Sequence, residues 1–318
     1  MCPKISVVVP VYGVEKYIER CAISLFSQTL DSIEFIFVDD CTPDGSIELL
    51  ESIIERYHDR FTEYSWSVRI DRMPKNSGQA AVRKYGIEIA KGEYVIQCDS
   101  DDWVETDMFR QMYEKAKAEN ADIVVCDYRV SDGEHVIRSM KGCQTENKEA
   151  FINDLLSQRY SWAVWNKLIK RTACYKEDFI YPKEPMGEDL VIVSQCLLNG
   201  GKMVYLPQTL YNYFYNPESI CHVKSVGQLM SIYLQFKANT DIIVDLFHRQ
   251  DLEDKYSEAI FLLKWYAKKG LWSMPYDKQR RKIWIDAYRE INKKVLFCKD
   301  ITMRDKVKFI LAYLGLFP

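Results

Sequence analysis

Short apolar runs alternate with amphipathic segments through about the first 130 residues, and this alternation constrains the fold more than any other feature. Each run has the length of a buried strand, and each amphipathic segment has helical spacing of its apolar residues. Strands separated by helices form parallel βαβ units, so the sequence predicts an α/β fold with a doubly wound, mostly parallel sheet. The predicted strands are residues 5–9, 34–39, 68–70, 94–98, 123–126, 203–206 and 210–215, and the predicted helices include 14–28, 46–59 and 78–91.

The residues that directly follow these strands are the first candidates for a binding site, because open α/β sheets bind ligands at the carboxyl ends of their strands. Residues 10–12 follow the first strand, Asp39 and Asp40 close the second, and residues 99–102 follow the fourth. Two groups of carboxylates are therefore expected to meet at one edge of the sheet.

The converging carboxylates suggest a cation site. Asp99 and Asp101 are two positions apart, so we expect both side chains on one side of an extended segment. Like charges at one site repel unless a cation relieves them, and Mg²⁺ and Mn²⁺ prefer such oxygen ligands. The alternative is a solvated acidic turn that caps the following helix. The second acidic pair, Asp39 and Asp40, favours the cation.

The sequence argues against three classes of protein. Residues 10–13 (Pro-Val-Tyr-Gly) contain no glycine-rich phosphate loop after the first strand, which argues against dinucleotide-binding and P-loop enzymes. The chain carries 43 Lys and Arg against 46 Asp and Glu, which gives a net charge of −3. Its surface as a whole therefore does not attract nucleic acid electrostatically.

The cysteines indicate a reducing compartment. Ten are scattered along the chain, none forms a CxxC motif, and the residues before the first strand do not have the pattern expected of a signal peptide. We interpret them as reduced, mostly buried thiols of a cytoplasmic protein.

The last third differs in charge and predicted structure. Residues 264–308 hold 14 Lys and Arg against 5 Asp and Glu, and residues 309–318 form an apolar end too short to span a bilayer, which needs about 20 residues. Such a basic, aromatic helical tail either lies on an anionic membrane surface or packs on its own domain. The predicted division is a first domain of residues 1–225 and a helical region of residues 226–318.

Ordered motifs over about residues 4–216 resemble those of family 2 glycosyltransferases. The resemblance implies a GT-A fold with a helical C-terminal extension, and an enzyme that transfers a sugar from a nucleotide-diphosphate donor with inversion. The matching motifs are ISVVVPVY (5–12), SQT (27–29), FVDDCTPDGS (37–46), NSGQAAVR (76–83), KGEYVIQCDSDDW (91–103), WNK (165–167) and GEDL (187–190).

The resemblance also implies roles for individual residues. Asp189 is the expected catalytic base, and Asp101 the expected metal ligand for Mn²⁺ or Mg²⁺. Lys84 stands where the family often has asparagine, so this chain departs from the family pattern at that position. The residues expected to bind the nucleotide-sugar are Pro10, Val11, Tyr12, Asp40, Asn76, Gly78, Arg83, Asp99, Ser100 and Asp101.

Three weaker candidates have a structural and a functional interpretation each. His222 contacts the donor diphosphate or lies in a surface loop. Trp165, like Trp162, stacks on an acceptor sugar or seals the core, and burial is the commoner fate of an aromatic ring. Glu188 assists Asp189 or caps the start of a helix.

These features together predict a metal-dependent inverting glycosyltransferase (EC 2.4) with a UDP-sugar donor and a glycan or lipid-linked glycan acceptor. It would act in the cytoplasm, peripheral to the inner membrane through its tail, without nucleic acid as a partner. One alternative is a catalytically silent glycan- or membrane-binding module. A second is a sugar-1-phosphate nucleotidyltransferase, which requires the glycine-rich loop that residues 10–13 lack.

Overall fold

The computed structural model of the chain describes residues 2–216, 225–273 and 278–316. Its contacts divide into two compact units, one of Met1–Leu155 with Tyr160–Pro217 and one of Leu156–Arg159 with Glu218–Pro318.

The strands are β1 (Ile5–Val11), β2 (Ile33–Asp39), β3 (Ser67–Arg72), β4 (Tyr94–Gln97), β5 (Trp103–Val104), β6 (Ile123–Ser131), β7 (Val136–Met140), β8 (Lys167–Lys170) and β9 (Met203–Phe214). The α-helices are α1 (Ile18–Phe26), α2 (Ser46–Arg56), α3 (His58–Glu63), α4 (Gln79–Ile89), α5 (Met108–Glu119), α6 (Lys148–Leu156), α7 (Arg171–Cys174), α8 (Glu188–Asn199), α9 (Val226–Arg249), α10 (Ser257–Lys269), α11 (Lys278–Asp286), α12 (Asn292–Val295) and α13 (Met303–Leu314).

The first unit is built on one mixed sheet with the strand order β3-β2-β1-β4-β8-β6-β9-β5, and β7 pairs with β6. Strands β3, β2, β1 and β4 are parallel, as are β6 and β9, whereas β8, β5 and β7 pair in the antiparallel sense. The predicted mostly parallel α/β sheet is therefore confirmed. It also contains antiparallel strands, which the alternation of helices and strands in the sequence does not predict.

Most predicted elements differ from the observed ones only by a shift of their ends, and the larger differences have a local cause. Helix α1 begins at Ile18, not at residue 14, because a turn closed by the Tyr17 amide on the Val14 carbonyl (2.8 Å) precedes it. The helix predicted over 46–59 is two helices separated at Tyr57. The strands predicted at 203–206 and 210–215 are the single strand β9, whose irregular register with β6 accommodates the polar residues between them.

A glycine allows α4 to lie directly on β1. A Cβ atom at Gly86 would lie 2.3 Å from Cγ1 of Val8, so only glycine permits this approach. Val8 belongs to a small apolar cluster between the sheet and α4, together with Val82 and Ile87. The close packing positions the side chains of α4 over the carboxyl ends of the central strands.

The second unit is helical and has its own aromatic core. Trp284 and Phe309 pack at 5.3 Å between ring centroids, and Trp265 lies 6.0 Å from Phe309. Leu271 and Val295 are buried in the same cluster. Among the described residues, no helix has the length and apolar character needed to cross a membrane.

Nine cysteines fall within the described residues, all nine are free thiols and six are buried. The tenth, Cys221, lies outside those residues.

Candidate active site

The carboxyl ends of β1, β2 and β4 meet at one edge of the sheet. Val11 is in register with Asp39, and the Asp40 amide donates to the Val11 carbonyl at 3.0 Å. The Cys98 amide, after β4, donates to the Val8 carbonyl at 3.0 Å. The predicted convergence of residues 10–12, 39–40 and 99–102 is therefore present.

Asp40 connects this edge to the loop before α4. One carboxylate oxygen accepts the amide of Ser77 at 2.7 Å, and the other accepts the amide of Gly78 at 2.8 Å. Gly78 has a φ of +81°, a conformation that glycine adopts at little cost. Asp40 and Gly78 are thus brought together, while the Asn76 side chain is exposed on the same loop.

The end of β1 contributes main-chain atoms and the exposed ring of Tyr12 to this edge of the sheet. Val11 is buried and Pro10 partly buried, whereas the ring of Tyr12 is half-exposed beyond the strand. The amide of Gly13 donates to the Thr42 hydroxyl at 2.8 Å, which links this segment to the loop after β2.

The acidic segment after β4 is a turn, which corrects the expected extended geometry. The Asp102 amide donates to the Asp99 carbonyl at 3.1 Å, so Asp99 and Asp101 do not share one side of a strand. Asp102 is fully buried and accepts the Tyr211 hydroxyl at 2.6 Å and the Phe214 amide at 2.6 Å. These two bonds fasten the turn to β9.

Asp101 is the member of this turn that is partly exposed and has no ion-pair partner among the described residues. Burial, followed by the nearby charge of Asp99, raises the pKa of Asp101 to about 6. Arg20 donates to the main-chain carbonyl of Asp101 at 3.0 Å, and no basic side chain of the described residues forms an ion pair with its carboxylate. Ser100, beside it, is buried.

Arg83 joins three carboxylates from two separate parts of the chain. Its guanidinium forms ion pairs with Asp99 at 2.6 Å, with Glu188 at 2.5 Å and with Asp189. Burial opposes the charged form, but Asp189, Asp99 and Glu188 together hold the pKa of Arg83 well above its usual value. Three of the predicted site residues, Arg83, Asp99 and Asp189, therefore belong with Glu188 to one charge cluster around a buried arginine.

Glu188 and Asp189 form the first turn of α8, which follows Gly187 in a left-handed conformation with φ of +84°. Burial raises the pKa of Glu188 to about 8 and also raises the pKa of Asp189, although Arg83 opposes both shifts. Three carboxylates around one arginine leave the cluster net negative, so it has a strong tendency to take up a proton or a cation.

Lys167 lies next to the site. It belongs to the WNK motif, but it was not among the residues that we predicted for the site. It is fully buried, and its ammonium donates to the Ala163 carbonyl at 2.6 Å and the Asn166 side chain at 2.8 Å. Burial lowers the pKa of Lys167 to about 8. The segment that it holds includes Val164, whose amide donates to the Asp189 carboxylate. The one signal in the sequence was the position of Lys167 in the WNK motif, since its burial cannot be read from the sequence.

Two weaker candidates have different outcomes. Trp165 is buried, with Tyr211 stacked on its ring at 4.2 Å and Tyr128 edge-on at 4.8 Å. Its ring therefore belongs to the core beneath the turn and does not offer an open face to an acceptor sugar. His222 lies outside the described residues.

The residues fit a divalent ion held mainly by substrate. No three His, Cys, Asp or Glu side chains of the described residues gather into a metal-binding group. Asp101 nevertheless offers a carboxylate without a basic partner, and Mg²⁺ and Mn²⁺ commonly take one or two protein carboxylates with water and phosphate oxygens. The donor set therefore suits an ion that arrives with a diphosphate.

Comparisons with known proteins give a consistent result. The family model described as Glycosyl transferase family 2 matches residues 6–182. The putative glycosyltransferase EpsH of Bacillus subtilis is 34% identical over 226 residues, which are 69% of this chain and 62% of that protein. The chain thus spans less than two thirds of that relative.

Solved structures show the same fold. Staphylococcus aureus TarS 1–349 in complex with UDP-GlcNAc matches with a TM-score of 0.70 at 18% identity, over 98% of this chain and 88% of that one. The mannosyltransferase PcManGT of Pyrobaculum calidifontis, solved with GDP-Man and Mn²⁺, matches with a TM-score of 0.55 at 14% identity over 99% and 87% of the two chains. The predicted GT-A fold is confirmed.

Proposed function

The chain belongs to glycosyl transferase family 2, and we propose that it transfers a sugar, with inversion, from a nucleotide-diphosphate donor to a hydroxyl of a glycan or lipid-linked glycan. A UDP-sugar is the proposed donor, because a protein of the same fold, TarS, was solved with UDP-GlcNAc. The observation that carries the proposal is the charge cluster in which Arg83 binds both Asp99 and Asp189.

The nucleotide would lie across the ends of β1 and β2. The half-exposed Tyr12 ring and the main chain of Pro10 and Val11 would border the base, and Asp40 would accept a hydrogen bond from it. Each Asp40 oxygen already receives one main-chain amide and retains a lone pair for such a bond. Asn76 and Gly78 lie on the loop that Asp40 holds in place.

Asp101 would hold Mn²⁺ or Mg²⁺ together with the donor phosphates. The bound ion would stabilise the negative charge that develops on the leaving nucleotide diphosphate. Asp99, with Ser100, would face the ribose or the donor sugar, and the ion pair with Arg83 would hold the Asp99 side chain in place.

Asp189 would act as the general base. As the acceptor oxygen forms its bond to the anomeric carbon, the bond from that carbon to the diphosphate oxygen breaks, and the acceptor proton passes to Asp189. The pair with Arg83 and the amide of Val164 orient the Asp189 carboxylate and favour its charged form. A raised pKa makes Asp189 a stronger base than an exposed aspartate while Arg83 limits the shift.

A nucleotide-release assay tests the proposal. The protein is incubated with a panel of UDP- and GDP-sugars, with and without Mn²⁺, and free nucleotide is measured. We expect Mn²⁺-dependent release from at least one UDP-sugar, and a loss of about 100-fold or more in Asp189→Asn. The matched control Asp178→Asn, at an exposed position before α8, should keep full turnover.

The outcomes separate the alternatives. Unchanged turnover in Asp189→Asn would reject Asp189 as the base. Wild type that binds glycan but releases no nucleotide from any sugar nucleotide would favour the silent binding module. Pyrophosphate-dependent formation of a nucleoside triphosphate would indicate the nucleotidyltransferase.

A further inference from the structure

Helix α13 carries apolar side chains on two opposite faces. Phe309 and Ala312 are buried in the core of the second unit. Met303, Val307, Ile310 and Leu314 are instead exposed, with fractions of 72%, 51%, 42% and 62%. An apolar face turned to solvent is unusual on a helix that already buries its other side.

The four exposed residues form one continuous stripe. They are separated by four, three and four positions, the spacing that places side chains on a single face of an α-helix. On the helix surface Arg304 lies on one side of this stripe and Lys306 on the other. The stripe is thus apolar along its centre and basic along both borders.

The acidic residue of this helix, Asp305, lies outside the exposed stripe. Asp305 is buried and forms an ion pair with Lys269 at 2.7 Å. It is the one carboxylate among residues 303–314, so the exposed face of α13 has no negative side chain of its own. The face is therefore positively charged as well as apolar.

The helix is held in place before any partner arrives. The Thr302 hydroxyl accepts the amide of Asp305 at 3.1 Å at the N-terminus. At the C-terminus, Arg281 donates to the Ala312 carbonyl at 3.2 Å, and Gly315 adopts a left-handed conformation with φ of +79°. Binding through the stripe would not require a coil to become helical.

We propose that the exposed stripe of α13, residues Met303, Val307, Ile310 and Leu314 with Arg304 and Lys306 at its borders, docks the protein on an anionic phospholipid surface. Apolar side chains would enter the acyl boundary while the basic borders meet lipid phosphates. A second copy of the chain is a poorer occupant, because its stripe would bring the same positive borders together. This inference is independent of the proposed reaction.

Vesicle sedimentation tests the proposal on the full chain. The vesicles are phosphatidylcholine alone or phosphatidylcholine mixed with phosphatidylglycerol. We expect binding to the mixed vesicles only, and a loss of binding at about 1 M salt, where the Debye length falls to about 3 Å. Val307→Ser with Ile310→Ser removes the apolar centre, and Arg304→Gln with Lys306→Gln removes the basic borders. Each double variant should reduce the bound fraction about fivefold or more.

A matched control excludes a general effect of exposed apolar residues. Val136 and Ile137 on β7 are each 52% exposed, and Val136→Ser with Ile137→Ser should leave vesicle binding unchanged. Circular dichroism and thermal unfolding verify that every variant is folded. Absent binding of wild type, or equal binding to both kinds of vesicle, would overturn the proposal. Concentration-dependent dimerisation abolished by the Val307 and Ile310 changes would assign the stripe to a second copy instead.

Discussion

Arg83 on α4 forms an ion pair with Asp189 on α8, although 106 positions separate the two residues in the chain. The same guanidinium binds Asp99 after β4. One arginine therefore connects the residue that we assign to the donor side with the residue that we assign to the acceptor side. The predictions below test this connection and the packing that creates it.

The first prediction concerns the fork geometry of Arg83. Arg83→Met leaves one buried and two partly buried carboxylates without a counter-charge and should lower the free energy of unfolding by about 3–5 kcal/mol. Arg83→Lys keeps the charge but not the planar fork, and should lose about 1–3 kcal/mol together with most nucleotide release. Urea unfolding and the release assay measure both. Lys84→Met, one position along and half-exposed, should change stability little. Full turnover in Arg83→Lys would contradict the assigned role.

The second prediction concerns the proton held by Glu188. The pKa of this group is raised from 4.5 to about 8, so the folded state binds its proton more tightly than the unfolded state. The resulting stability is fully present below pH 4.5 and is lost as the pH rises through 8. Relative to Glu188→Gln, wild type should lose up to about 1.4 kcal/mol per pH unit within this window. Urea midpoints measured at several pH values give the difference, and parallel curves for the two proteins would show that Glu188 is ionised throughout.

The third prediction concerns Asp101 and its cation. Protons and Mn²⁺ compete for the carboxylate, whose pKa is raised to about 6. The Mn²⁺ concentration for half-activation should rise about tenfold per pH unit below that value. Asp101→Asn should weaken Mn²⁺ binding in the presence of UDP by about tenfold or more, as measured by calorimetry. Asp107→Asn, beyond β5 and only partly buried, serves as the control. An unchanged affinity in Asp101→Asn would remove this residue from the metal site.

The fourth prediction concerns the close contact between α4 and β1. Gly86→Ala places a methyl group against Val8 and should lower stability by about 1–3 kcal/mol. Because the displaced helix carries Arg83, nucleotide release should fall as well. Val8→Ala in the same chain removes the clashing methyl groups, so the double variant should recover part of both losses. Purely additive effects of the two changes would argue against the direct contact.

The sequence predicts the positions of the strand-end carboxylates well because local patterns determine them. Apolar runs that end in Asp40 or Asp99 identify the edge of the sheet from residues close together in the chain. The turn at residues 99–102 was harder to predict, since it depends on bonds from Asp102 to Tyr211 and Phe214 more than 100 positions away. The same limit applies to the antiparallel strands.

From the sequence, the residues of the charge cluster could be identified only as members of separate motifs. The family resemblance placed Arg83, Asp99 and Asp189 in one site, but neither spacing nor composition indicates that they bind each other. Lys167 was overlooked because buried lysines are rare and its hydrogen-bond acceptors are mainly main-chain carbonyls, which leave no sequence signature.

Tyr211 contacts both the hydrophobic interior and the acidic turn, with its ring on Trp165 and its hydroxyl on Asp102. A local fluctuation that frees the turn must break a bond to a side chain that is itself anchored in the core. Amide hydrogen exchange at Asp102 should therefore follow that of β9 and not that of the neighbouring surface loops. The acidic turn therefore opens only as often as β9 does.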